Sequence, residues 1–223
     1  MNRTSSLRAA VVATVSVLAL IAAPTTASAQ APPGPVDESR LVPTLSPTFT
    51  PWTCKAEQTG PVCTGSRHLT FDWELTDFPC AVPVYNARDE RRRQTRFYDW
   101  NYLNYDRSFQ SNDVDWFSTS PQGPATGSIS TTIRFQEHYG VPGDDATRTI
   151  TTDGVLYDIR SAQGAPLWRA VGTVIEPPGV VGTFTGHVTD HGVSMRYVDV
   201  PFSEVLPDDT FVSLVCEAAT ATP

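Results

Sequence analysis

Five aromatic rings crowd into RFYDWNYLNYDR, residues 96–107, beside two amides and two aspartates. Taken as a strand, this stretch sets Tyr98, Trp100 and Tyr102 on one face and Phe97, Leu103 and Tyr105 on the other. Rings left in water stack on sugars when polar groups sit at their rims, and Asp99, Asn101, Asn104, Asp106 and Arg107 offer such groups. Tyr98, Trp100, Tyr102 and Tyr105 are therefore the candidate ligand-binding residues, for a glycan or another cell-envelope polymer. The simpler alternative packs one face into a core and leaves the tyrosines at its margin.

Other residue types with chemical potential are thinner. Arg88, Arg91, Arg92, Arg93 and Arg96 cluster around Asp89 and Glu90. They read as a solvated loop whose arginines pair with nearby carboxylates, with an acidic polymer as the possible ligand. His187 and His191 are four apart, but in a hairpin rather than on a helix, so shared metal ligation is not expected; Glu137, His138 and His68 have no identifiable partner. Asp113-x-Asp115 could give two oxygens to calcium, without the rest of a coordination shell. A Gly-x-Ser-x-Gly elbow and a His-Glu-x-x-His motif are both missing. Carboxylate pairs such as Asp72/Glu74 suit a glycosidase, yet any acidic chain supplies them. No catalytic, metal or cofactor set is expected, and the leading expectation is a non-enzymatic binding or envelope-associated domain. A carbohydrate-binding module or glycosidase built around Trp100 is the alternative.

The elements that must position these groups are strands. In RHLTFDWELTDFPC, Leu69, Phe71, Trp73 and Leu75 alternate with polar residues, which predicts a strand with one apolar face. SISTTIRFQEHYG alternates likewise. TRTITTDGVLYDIRS reads as two short strands meeting at a turn-forming Asp153-Gly154, and VVGTFTGHVTDHGVSMRYVDV as a hairpin closed at Asp190-His191-Gly192. TFVSLVCEAA, with Val212, Leu214 and Cys216 on one side, closes the set as a last strand, and Leu206 to Thr210 reads as a turn. The fold class expected is all-β: an antiparallel sandwich or barrel of roughly 8–10 strands.

The amino terminus reads as a signal peptide over residues 1–29. Two arginines precede an apolar run from Ala9 to Ala23, and Ala27-Ser28-Ala29 is a cleavage pattern. Residues 30–51, rich in proline, form a linker or loosely held arm; residues 52–217 form a single β domain and 218–223 a tail. The exported chain is expected to be secreted, with no membrane insertion once the leader is removed. Cleavage leaves 14 basic against 24 acidic groups, a net charge of −10, which disfavours nucleic acid as a partner. With 15 arginines and a single lysine, the composition is that of a high-GC bacterium. Cys54, Cys63, Cys80 and Cys216 all fall in the exported part, and their even count suggests two bridges. Three pairings are possible; closing the short loop between Cys54 and Cys63 is the least demanding of them.

Phe78-Pro79-Cys80 at the end of an alternating strand, the threonine-rich strands, Gly182-Thr183-Phe184-Thr185-Gly186, and the terminal Val215-Cys216 together resemble function-unknown exported β-proteins of actinobacteria. The resemblance runs over about residues 67–217. It implies a Cys80–Cys216 bridge and no activity. The 96–107 stretch and the Cys54/Cys63 pair depart from that pattern.

Overall fold

Residues 34–220 are described in a computed structural model of the chain; the expected signal peptide and its cleavage site lie outside the described residues. Two-residue alternation builds nine antiparallel strands: β1 (Thr53–Glu57), β2 (Gly60–Leu75), β3 (Tyr85–Tyr98), β4 (Asn104–Ser118), β5 (Gly127–Tyr139), β6 (Arg148–Ser161), β7 (Pro166–Glu176), β8 (Thr183–Asp190) and β9 (Val193–Pro201). They form one sheet in chain order, every strand hydrogen-bonded only to its sequence neighbours, with β1 and β9 left as its two edges. Two helices follow, α1 (Phe202–Val205) and α2 (Asp208–Thr220).

Directly paired residues of antiparallel strands share a face, so register sorts the side chains. One face carries serine, threonine and scattered charges. The other is covered at two places. Toward the carboxyl end, Ile129, Ile159, Trp168, Ala170, Val174, Phe184 and Val188 pack against Leu214, Val215, Ala218 and Ala219 of α2 and against Val205 and Leu206. Toward the amino end, Leu41 packs with Cys63, Tyr98 and Tyr102, with Leu45 and Trp52 beside them. The segment expected to be a loose arm is thus anchored, since Leu41 and Phe49 are both buried.

Several expectations are corrected. The last segment is a helix, not a strand. Phe211, Leu214, Val215, Ala218 and Ala219 recur at i, i+3, i+4, i+7 and i+8, and Asp208 and Asp209 occupy the first turn, where the helix dipole favours carboxylates. Asp153-Gly154 is not a turn: β6 runs through it, with an irregularity between Val155 and Tyr157. Gly154 is needed there because its φ is +127° and a Cβ would meet the Thr132 carbonyl of β5. Residues 96–107 are not one strand but a hairpin that turns through residues 99–103, with Tyr102 at φ 69°. The basic cluster is no loop; Arg88, Arg91, Arg92, Arg93 and Arg96 all lie in β3. The apolar stripe of β2 is largely open, with Leu69, Phe71 and Leu75 exposed at 36%, 45% and 64%. The hairpin at His191-Gly192 forms as expected, both residues having positive φ.

Both disulfides are formed. Cys54–Cys63 joins directly paired residues of β1 and β2. Cys80–Cys216 spans 136 residues and ties the segment after β2 to α2, rather than to a terminal strand.

Candidate functional site

Between the two apolar clusters, the covered face of β2–β5 is charged. Alternation in Arg88-x-Glu90-x-Arg92-x-Gln94-x-Arg96 sends five long polar side chains of β3 to this face, while Arg91 and Arg93 go to the other. Register extends each into a row. Arg67 lies beside Arg92, Ser111 and Ile133; Gly65 beside Gln94, Phe109 and Phe135; Cys63 beside Arg96, Arg107 and Glu137.

Buried carboxylates hold the arginines. Glu90 accepts from Arg67 Nη2 at 2.8 Å and Arg88 Nη1 at 3.3 Å, and Arg92 Nη2 is 3.1 Å away. Asp113 Oδ2 accepts from Arg92 Nη2 at 2.6 Å and from the Ser111 hydroxyl at 2.7 Å. Asp115 accepts from Arg88 Nε at 2.6 Å, and that hydrogen bond holds the Arg88 guanidinium above its ordinary pKa. Glu137 accepts from Arg107 Nη1 at 3.2 Å, Arg148 Nη1 at 3.4 Å and the Tyr139 hydroxyl at 3.3 Å. Burial, reinforced by Glu137, pushes the Tyr139 phenol upward.

Aromatic rings interleave with these guanidinium planes. Arg67 lies 5.0 Å from the Phe49 centroid, and Arg107 lies 5.7 Å from that of Phe109 and 5.4 Å from that of Phe135. Phe109 and Phe135 are themselves 4.7 Å apart. The arm closes the remaining side. Arg96 Nη1 donates to the Thr44 carbonyl at 2.8 Å, the Tyr98 hydroxyl to that of Pro43 at 3.1 Å, and Trp52 Nε1 to that of Ser46 at 2.8 Å. Ser46, Thr48 and Phe49 thereby face β2–β5 across a cleft of about 510 Å³, whose sheet side includes Arg67, Arg92, Gln94, Arg96, Arg107, Phe109, Ser111, Asp113, Ile133 and Phe135.

Two properties set this cleft apart. Its arginines and the two behind them, Arg88 and Arg148, number six against the five carboxylates Glu90, Asp113, Asp115, Glu137 and Asp145, a local positive excess of one on a chain of net charge −8. And among the described residues four side-chain polar atoms sealed from solvent lack a hydrogen-bond partner: Arg67 Nε, Gln94 Nε2, Arg107 Nε and Asp113 Oδ1. All four belong to cleft-wall residues.

The residues singled out by sequence are dispersed. Tyr98 and Tyr102 are buried beneath the arm, and burial pushes the Tyr98 phenol upward. Trp100 donates to the Gln58 carbonyl at 3.2 Å. Tyr105 stands on the bare face beside Phe97, in a shallow groove with Arg134 and His138. Trp100 and Tyr105 are both half-buried, and they do not share a surface with Tyr98 and Tyr102. His187 is exposed on β8, whereas His191 bonds Asp190 at 2.6 Å and Glu217 at 3.0 Å, tying the last hairpin to α2. His68 pairs with Asp89 and His138 with Asp106. Asp113 and Asp115 both face arginines, and among the described residues no group of three or more His, Cys, Asp or Glu is placed to hold a metal ion. Sequence reasoning missed Gln94, Phe109, Phe135 and Arg67; the signal available was the strict alternation of long polar residues from 88 to 96. No family model, curated protein or solved structure matches the chain.

Proposed function

We propose that the chain is a non-enzymatic binding domain, acting outside the cytoplasm, that holds a small anionic ligand in the cleft between the arm and β2–β5. The observation that carries this reading is the cleft's own lining, in which Arg67, Arg92, Arg96 and Arg107 stand with Asp113 as the one lining carboxylate, beside the rings of Phe49, Phe109 and Phe135. Two disulfides fit an oxidising compartment and an exported chain. A single nine-stranded sheet fits a two-sheet sandwich poorly, and its free edges β1 and β9 leave it short of a closed barrel.

The test is thermal denaturation of the purified chain with matched anionic and neutral small molecules, such as benzoate against benzamide and glucuronate against glucose, at constant ionic strength. An anion at a hundred times its Kd stabilises by about 2.7 kcal/mol, which is roughly 5–10 °C in Tm for a domain of this size. The shift should vanish in Arg107→Ala. Equal responses to the charged and neutral members of every pair refute the reading.

A further inference from the structure

A sheet ends in two edges, and here a further stretch of strand is also unpaired. β1 is five residues long and its pairing with β2 stops at Thr64, so among the described residues no element pairs with the outer edge of β2 from Gly65 to Leu75. Alternate residues of that stretch turn their N–H and C=O groups outward, a template for another strand. The arm meets it at its start, where Phe49 and Trp52 lie against Gly65 and Arg67 Nη1 donates to the Thr48 hydroxyl at 3.4 Å. Up to Phe71 it keeps regular register with β3 and carries no proline, lysine or positive-φ residue, the devices that commonly blunt an edge. β9 is interrupted by comparison: Asp199 has a φ of 54° and turns its N–H back to the Thr185 hydroxyl at 3.0 Å.

Leu69 and Phe71 make this edge adhesive as well as unpaired. Register puts both on the face that carries the arm and α2, yet they stay 36% and 45% exposed. The residues around them are complementary to themselves when reversed. Thr70 is the midpoint of the stretch from Gly65 to Leu75, and a second copy laid antiparallel about it fills the edge up to the end of β1. That register sets Leu69 against Phe71 of the second copy, twice by symmetry, and His68 against its Asp72. Asp89 holds His68 through Nε2 at 2.9 Å, which leaves Nδ1 for that carboxylate. Sliding the register one residue toward the amino end puts residues 74 and 75 of the second copy where β1 lies, and sliding it the other way loses the pairing of Leu69 with Phe71. We propose that the free edge of β2 is a homodimer interface, in which two copies join antiparallel about a two-fold axis at Thr70 and merge their sheets.

Sedimentation velocity of the purified chain, from about 1 μM to about 1 mM, tests this and should show a reversible monomer–dimer equilibrium. Leu69→Lys/Phe71→Lys alters side chains already open to water and sets like charges opposite each other, so it should raise the dimer Kd about tenfold or more while leaving the urea midpoint of the monomer in place. Thr70→Cys gives a second, geometric readout. Directly opposed residues of antiparallel strands lie about 4.5–5.5 Å apart between Cα atoms, within disulfide reach, so this variant should oxidise to a covalent dimer that reductant dissolves. Ser194→Cys, on the β9 edge, should stay monomeric under the same oxidant. If the lysine variant does not fold, cross-linking at residue 70 decides alone. A chain that is monomeric over the whole range, a dimer that survives Leu69→Lys/Phe71→Lys, or cross-linking at residue 194 and not at residue 70 overturns the proposal, and none of these bears on the anion-binding cleft.

Discussion

Removing the Cys80–Cys216 bridge should destabilise the domain more than removing Cys54–Cys63, and the structure sets the size of the difference. The sequence separations are 136 and 9. On the loop-entropy model, closure of the two loops contributes about 5 and about 2.6 kcal/mol, a difference of about 2.4 kcal/mol that depends only on the ratio of separations. Packing narrows it. Cys63 is wholly buried beneath the arm, so Cys54→Ala/Cys63→Ala also empties a core position, roughly 1 kcal/mol more. The net expectation is that Cys80→Ala/Cys216→Ala is the worse pair by about 1–2 kcal/mol, or about 2–8 °C in Tm at roughly 2–4 °C per kcal/mol. Urea denaturation followed by tryptophan fluorescence, beside calorimetric Tm values, reads this directly. Hydrogen exchange adds a local signature, because the longer bridge holds α2: in its absence the amides of α2 should exchange before those of β4–β7. Equal losses for the two pairs, or a greater loss at Cys54/Cys63, would refute the view that the long bridge acts by restricting the unfolded chain.

Two further perturbations probe how α2 is seated. Gly127→Ala places a methyl against the Ala218 carbonyl and 2.8 Å from the Ala218 Cβ, so it should cost several kcal/mol by lifting the helix; an unchanged urea midpoint would show that α2 does not lie on β5. His191 has its pKa raised first by its hydrogen bond to Glu217 and then by that to Asp190. A raised folded value means that its stabilisation is complete below the ordinary histidine pKa, about 6.5, and is lost as pH rises through the higher folded one. His191→Gln should flatten the pH dependence of the urea midpoint over that interval, and an unaltered slope would deny the link between the last hairpin and α2.

Alternation made the β character of this chain legible, because a residue pointing inward every second position is what one covered sheet face requires. It misled where two periods coincide. In TFVSLVCEAA, Val212, Leu214 and Cys216 alternate, yet Phe211, Leu214, Val215, Ala218 and Ala219 form a helical stripe, and the glycine-free, alanine-ended segment follows the latter. Asp153-Gly154 carries a turn signal, but the close approach of β5 uses the same glycine for passage rather than reversal. The candidate cleft was illegible for a different reason. Arginines at 88 and 92 read as solvated because burying guanidinium is unfavourable unless it is paired, and the partners Asp115 and Asp113 lie on the next strand. Only the register of β3 on β4 brings them together. Tyr98 and Tyr102 were misjudged through their surroundings: what buries them is a proline-rich segment that, by composition, promised no packing.

A sheet whose strands pair strictly in chain order can be assembled vectorially. Each new hairpin needs only the strand already in place, so a chain emerging amino end first can add β3 to β2, then β4 to β3, without waiting for distant sequence. Completion is the opposite: α2, the last of the described elements, covers the apolar side of β4–β7 together with Val205 and Leu206 and carries the cysteine that reaches back to residue 80. Truncation near the carboxyl terminus would therefore yield a nearly full ladder with its greasy side bare, a species built to aggregate.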